Sequence, residues 1–479
     1  MREWDNGVGV ARADFTDSME RLGLEQVADG WEGSMLVDGQ HQRFHVMLDD
    51  GFPFAPPKVR PTQDLPMSWH RERNGSMCLY TKEDRTGLPW LEVPDFLAHI
   101  QKWFERTAAG WVDDAPDLDL ERYFDPADPS PLVLYDDIAA LIGRYIRLRV
   151  HPHTWQVIGI GTAPKKHRRQ DRRFGYVVTI GQPSEPPRNW DEIVSHVERG
   201  EQVARAIRDG RVDVVLVHYT RAGHDGVIAL DVRPSRDGSV HTRAYPSAST
   251  SAIVAQMRAG QMRSTLATKH VYLVGAGALG SFVADCLVRA GIGHLTIRDS
   301  DVLRPGNLTR HLADNSQIGL RKAQAVKARL RDHHYNHTEI SIDITPLTRA
   351  TEAAEVIASC DLVIDATADG SVTAMLHHVA RATGNRVISA CLQNGGDTLR
   401  VDIIPPLTGD PLPKTMQRQP EGDLAFEGGC GDPVSSTPPY AVLEAAAMTT
   451  RHAVGLLCGQ PVSPAGEVRE YPTHEPAQP

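Results

Sequence analysis

The chain has 479 residues, 41% of them hydrophobic and 23% charged, with a formal net charge of -10. That length exceeds what a single core covers and predicts roughly two to four domains, while the ordinary composition points to a soluble globular protein. The acidic balance argues against a nucleic-acid partner, and the absence of an apolar run of about eighteen residues or of an apolar core in MREWDNGVGVARADF argues against a membrane span or signal peptide, so a cytoplasmic location is expected.

In chain order, a helix is predicted over Thr16–Gln26, then Trp31 and a strand-like alternation at Phe44, Val46 and Leu48. The prolines of Gly51-Phe-Pro-Phe-Ala-Pro-Pro57 impose a rigid extended path. His70-Arg-Glu-Arg-Asn74-Gly75-Ser-Met-Cys78-Leu79 comes next, and a helix opens at Pro94 with Phe96, Ile100, Trp103 and Phe104 on its apolar face. Residues 113–132, acidic and proline-rich, read as a domain boundary.

Strand-like runs at Val157–Ile160, Tyr176–Ile180, Val212–Val217 and Val227–Val232 then predict an α/β domain without a catalytic constellation. The basic cluster Lys165, Lys166, Arg168, Arg169, Arg172 and Arg173 reads as a solvated loop. A helix is expected over Thr250–Thr265, before the apolar strand Val271–Val274.

That strand runs into Gly275-Ala-Gly277-Ala-Leu-Gly280, a helix, and a second strand ending at Asp299. Such a unit binds a nucleotide: the glycines let the backbone approach a phosphate at a helix N-terminus, and the acidic residue meets a ribose hydroxyl. The residues after the second strand separate it from a dinucleotide site. Asp299 and Asp301, then Asn307, Arg310 and Lys322, bring cations that hydride transfer does not need, but that stabilise a departing pyrophosphate.

These motifs, with Gly306-Asn307-Leu308-Thr309-Arg310, Lys322-Ala323 and Asp365-Ala-Thr367, resemble the ThiF/MoeB family of adenylating enzymes, over residues 266–460. The resemblance implies ATP and Mg2+ as cofactors. It gives Gly275, Gly277 and Gly280 to the nucleotide, Asp299 with Asp301 to the ribose side, and Asn307, Arg310 and Lys322 to the phosphates. The family's magnesium-binding Asp directly follows the Thr; here Ala368 intervenes, so Asp369 takes that role, with Asp365 as the second choice. The family's paired C-x-x-C zinc clips are missing, and no zinc site is expected.

The six cysteines lie far apart and read as free thiols. Four sit in helix or strand contexts; Cys78 and Cys430 do not. The order of elements around Cys78, with its doubled-proline approach, resembles the ubiquitin-conjugating fold over residues 10–125, which implies a thioester carried on Cys78. His70 stands where that family has the Asn that polarises the thioester, with Asn74 the nearest amide. Cys430, in Glu427-Gly-Gly-Cys430-Gly-Asp-Pro433 before a helix over Tyr440–Leu457, stands where activating enzymes carry a catalytic Cys on a crossing loop.

The expected architecture is thus a multidomain α/β and α+β chain: a ubiquitin-conjugating-like domain over 1–125, an α/β domain over 133–265, and a ThiF-type Rossmann-like adenylation domain over 266–479. Together the two resemblances match bacterial fusions that act as the ubiquitin-transferase-like component of type II CBASS antiphage operons. They imply a homodimer that adenylates a partner's C-terminal carboxylate, takes it onto Cys430, passes it to Cys78 and joins it to a target lysine. The activated partner is then a cGAS/DncV-like nucleotidyltransferase or a ubiquitin-like protein; sulfur-carrier activation is the rival that leaves Cys78 without a task.

Overall fold

The computed structural model describes residues 3–81, 86–111, 118–162, 172–331, 337–418, 426 and 434–472. The chain divides into two compact units, Met1–Ser249 and Thr250–Pro479. The expected segments 1–125 and 133–249 lie in the first. Residues 250–265 lie in the second, where the predicted continuous helix is two short ones, Ala252–Met257 and Arg263–Leu266.

The first unit opens with a helix over Glu3–Arg21, earlier than the predicted Thr16–Gln26, because Gly23 turns left-handed and starts the strands. An antiparallel meander comes after it, Glu25–Val27, Gly30–Val37, Gln40–Met47 and Lys58–Pro61. The helix Val93–Ala108 buries Val93, Phe96, Ile100, Trp103 and Phe104, the face its apolar spacing predicted. The fully buried Trp90 donates its indole N–H to the Pro53 carbonyl at 2.8 Å, tying the proline-rich path to the core.

The same unit holds an eight-stranded mixed sheet that includes the four expected strands, as Thr154–Gly161, Arg172–Thr179, Val214–Arg221 and His224–Pro234. The described part of the acidic segment, from residue 118, is not a loose connection. Leu120 and Tyr123, in the turn Leu120–Tyr123, are fully buried in one core with Trp69, Tyr219 and Trp190. Trp69 stacks on Tyr219, the Leu120 N–H reaches the Tyr219 hydroxyl at 3.3 Å, and that hydroxyl donates to the Leu118 carbonyl. Leu120 and Tyr123 supply the apolar surface that packs it.

The second unit is a seven-stranded sheet in the order Glu339–Asp343, His294–Arg298, His270–Val274, Leu362–Asp365, Val387–Gln393, Thr398–Ile404 and Gly466–Glu470. The first five strands pair in parallel, and the last two are joined to them through antiparallel pairings. Chain order reverses between His270–Val274 and Leu362–Asp365, and there the carboxyl ends open a crevice. The helix Ala278–Ala290 packs on this sheet through Leu279, Val283, Ala284 and Leu287, and Pro439–Cys458 packs through an alanine-rich face. Among the described residues no helix is long and apolar enough to cross a membrane.

Burial of residues 118–124 has a measurable consequence. Leu120→Ala removes a fully buried side chain and is expected to cost about 2–5 kcal/mol in chemical denaturation of the full chain. A midpoint unchanged from wild type would mean that this segment does not pack.

Candidate functional site

The turn after Val274 is built by exclusion of side chains. Gly275 has φ +94°, and a Cβ there would sit 2.7 Å from the Ala366 carbonyl carbon and oxygen and 2.8 Å from the Thr367 nitrogen. A Cβ on Gly280 would lie 2.0 Å from the Gly275 oxygen, so the helix abuts the turn directly. Gly277, the residue capping the helix N-terminus, faces open space instead. Two glycines are required by the protein's own packing; the third leaves room for something else.

Those glycines edge a cleft of about 420 Å³ at the carboxyl ends of the strands. Gly275, Gly277, Asp299, Asp301, Lys322 and Asp369 all line it. Asp299 Oδ2 accepts the Ala276 N–H at 2.7 Å and Oδ1 the Asp301 N–H at 2.8 Å, so the carboxylate braces the turn while keeping lone pairs on both oxygens for a hydroxyl. Burial pushes the Asp299 carboxyl above its ordinary range, against those two amides. Lys322 begins the helix Lys322–Arg331, donates its backbone N–H to the Asp301 carbonyl, and pairs its ammonium with Asp301 Oδ2 at 2.9 Å.

Asp369 caps the helix Gly370–Thr383, with Oδ1 accepting from the Ser371 N–H and hydroxyl and the Val372 N–H. These donors hold its carboxyl below the usual range, so it is an anion at the edge of the cleft. Asp365 is placed differently. It is 1% exposed and spends both oxygens on Thr367, Thr373 and Ser389 beneath the crevice floor, a set of partners that leaves it no approach to a cation. Of the two carboxylates, Asp369 fits a magnesium ion and Asp365 does not. Among the described residues no group of three or more His, Cys, Asp or Glu side chains could hold a metal ion.

Asn307 and Arg310 are not in the lining. Asn307 Oδ1 accepts the Arg304 N–H within the turn Pro305–Arg310, and Arg310 reaches the Thr437 carbonyl at 3.1 Å, on the segment leading into the helix Pro439–Cys458. Cys430 lies outside the described residues.

Sequence reasoning passed over two residues of this site. Arg298, 2% exposed, lines the cleft from the strand end and pairs with Glu352 at 2.7 Å and Asp343 at 3.3 Å. A single arginine in an apolar strand was its only signal. His311 is buried beneath the turn, donating Nε2–H to the Ala276 carbonyl at 2.8 Å and accepting the Ala313 N–H on Nδ1. It is therefore a neutral imidazole, and burial, with Lys322 nearby, pulls its pKa below the ordinary value.

A second cleft, of about 630 Å³, lies within the first unit and is lined by Cys78, Glu72, Asn74, Ser76, Lys58, Arg73 and the prolines Pro56 and Pro57. A narrow hairpin builds it. The Cys78 N–H reaches the His70 carbonyl at 2.9 Å, Arg71 bridges Met77, and the Glu72 N–H reaches the Ser76 carbonyl at 2.7 Å around Gly75 at φ +82°. The half-buried Cys78 Sγ lies 3.4 Å from Glu72 Oε1. His70 is outside the lining: its ring stacks on Trp111, while its carbonyl accepts from both Cys78 and the Trp103 indole. Asn74 lines the cleft and spends Oδ1 on the Ser76 N–H.

Cys286, Cys360, Cys391 and Cys458 are half-buried, and burial raises each thiol, Cys360 to about 11, which suits packing better than attack.

Residues 250–452, which carry the crevice, match the model of the ThiF family. The particular relatives are partial ones. The chain is 31% identical over 113 residues to the ATP-dependent ubiquitin transferase-like protein Cap2 of Enterobacter hormaechei, covering 24% of this chain and 19% of that protein. It is 37% identical over 133 residues to the adenylyltransferase and sulfurtransferase UBA4 of Eremothecium gossypii, covering 27% and 29%. An uncharacterized protein, y4oA of Sinorhizobium fredii, is 32% identical over 140 residues, covering 26% and 23%. The chain thus spans less than a third of each of these relatives. Among solved structures, Escherichia coli MccB with MccA-N7isoASN is similar at 19% identity and TM-score 0.35, covering 44% of this chain and 66% of that one.

The buried imidazole makes stability depend on pH. Depressed His311, together with His270 and His377, also lowered chiefly by burial, binds protons more readily unfolded, so the second unit loses stability as pH falls below the ordinary value near 6.5. A thermal-melt series from pH 7.5 down to 5 should show a falling midpoint, with a shallower fall in His311→Gln; an unchanged slope in that variant would show that His311 does not contribute.

Proposed function

We propose that the chain activates the C-terminal carboxylate of a partner protein with ATP and delivers it through thioesters to an amine. The observation that carries this is the single cleft that collects the glycine turn, Asp299, Asp301, Lys322 and Asp369 at the topological switch point. The likeness of residues 250–452 to the ThiF family, and of shorter stretches to Cap2 and UBA4, supports the same chemistry.

In this reaction the partner's carboxylate attacks the α-phosphate and pyrophosphate departs. Gly277 at the helix N-terminus receives phosphate oxygens, Asp299 holds the ribose, and Lys322 exchanges Asp301 for the developing negative charge. Arg310 and Asn307 serve the same phosphates after moving from their present partners. Asp369 is the residue that would hold a magnesium ion, which would supply positive charge against the departing pyrophosphate. Cys430 then displaces AMP, Cys78 takes the acyl group by thioester exchange, and a target lysine releases it as an amide. His70 supports Cys78 through its backbone in this scheme.

The partner is a cGAS/DncV-like nucleotidyltransferase primed in antiviral defence, with the chain acting as a homodimer; a ubiquitin-like protein is the alternative. The likeness to a protein named adenylyltransferase and sulfurtransferase favours one other assignment, activation of a sulfur carrier.

ATP–pyrophosphate exchange on the chain expressed with its neighbouring genes should fall about 100-fold in Lys322→Ala. Intact-mass analysis of Cys78→Ser should show a stable ester adduct that vanishes when Cys430→Ala is added. Exchange without any adduct would favour the sulfur carrier, and no exchange at all would remove adenylation.

A further inference from the structure

The hairpin around Cys78 places a second chemical group beside the sulfur. Side chains alternate in extended chain, and His70 opposes Cys78 while Glu72 opposes Ser76, so Glu72 and Cys78 are diagonal neighbours on one face of the ribbon. The thiol donates to Glu72 Oε1 at 3.4 Å, and both groups line the 630 Å³ cleft. Among the described residues that line the cleft, the two cations have other carboxylates: Lys58 pairs with Asp49 at 3.1 Å, and Arg73 pairs with Asp125. Glu72 is half-buried and faces the thiol.

In the resting state this carboxylate accepts the thiol's hydrogen bond. Its fitness is for the discharge half of the cycle. Once the sulfur is acylated, it has no proton to donate, and Glu72 loses that hydrogen bond. An arriving ammonium restores it: the carboxylate attracts the cation and receives a proton from it within reach of the thioester carbon.

Resting on the assignment of Cys78 as an acyl carrier, we propose that Glu72 is the proton acceptor for the amine that discharges Cys78, which makes the acceptor a protonated primary amine such as a lysine side chain. Glu72 takes one proton from the ammonium. The neutral nitrogen attacks the thioester carbon, the C–N bond forms and the C–S bond breaks. The second nitrogen proton goes to the departing sulfur, regenerating the Cys78 thiol. The protonated Glu72 then returns its proton to water.

The test charges the full chain without ATP, using a glycine-terminated peptide thioester of a small thiol. Exchange onto Cys78 is read by intact mass with Cys78→Ser as the control. Single-turnover discharge is then measured with free lysine and with hydroxylamine, an amine that is already neutral at neutral pH. In Glu72→Gln, charging should persist, lysine discharge should slow about 100-fold at neutral pH and recover as pH rises, and hydroxylamine discharge should stay at the wild-type rate. Equal slowing with both amines, or wild-type lysine discharge, would overturn the role of Glu72 while leaving Cys78 as carrier. Failure of the wild-type chain to charge at Cys78 would overturn the carrier itself. The wild-type chain gives an independent measure if Glu72→Gln does not fold: its ratio of lysine to hydroxylamine discharge should exceed that of the free peptide thioester, and equal ratios would remove Glu72.

Discussion

Much of the second unit depends on one contact that admits no side chain, the approach of Gly275 and Gly280 to each other and to the backbone at Ala366 and Thr367. With a Cβ at either glycine, the helix Ala278–Ala290 would be pushed away from the strand before it, and the ends of the two central parallel strands would separate. The contact sets the width of the crevice between them. It also brings the helix N-terminus, with its unpaired N–H groups, to the edge where Lys322 and Asp369 stand.

Around that contact the charged residues are mostly occupied by the protein itself. Asp299 braces the turn, Asp369 caps a helix, Asp301 neutralises Lys322, and Arg298 is matched by Asp343 and Glu352. A site assembled this way is preorganised: the groups are held by backbone donors and opposite charges before any ligand arrives, which lowers the cost of orienting them later. His311 belongs to the same scheme from below, as a neutral donor to the turn's carbonyl. The Cys78 cleft uses a different device, a hairpin too short to let its side chains choose a face, so the sulfur and Glu72 share one side by covalent geometry.

Much of this was legible in the residues in order. The apolar spacing of Val93–Ala108 and the strand Val271–Val274 arise from local pattern, because periodicity records which face is buried. The glycine turn and the acidic strand end were legible for the same reason: few residue types satisfy those local geometries.

Only the tertiary structure decided which of these residues face a cleft. Asp365 and Asp369 are near neighbours of one chemical type, yet one is sealed under four hydroxyl and amide donors and the other stands at the cleft edge. His70, Glu72 and Asn74 all precede Cys78 closely, and only the folded chain shows the His70 ring stacked on Trp111 and the Glu72 carboxylate beside the sulfur. Residues 118–124 of the stretch read as a boundary pack because Trp69 and Tyr219, distant in sequence, supply the apolar surface that Leu120 and Tyr123 need. The sequence alone determined the local elements and the kinds of chemistry available; partners brought together across long separations chose which groups are sealed in the core and which are left to act.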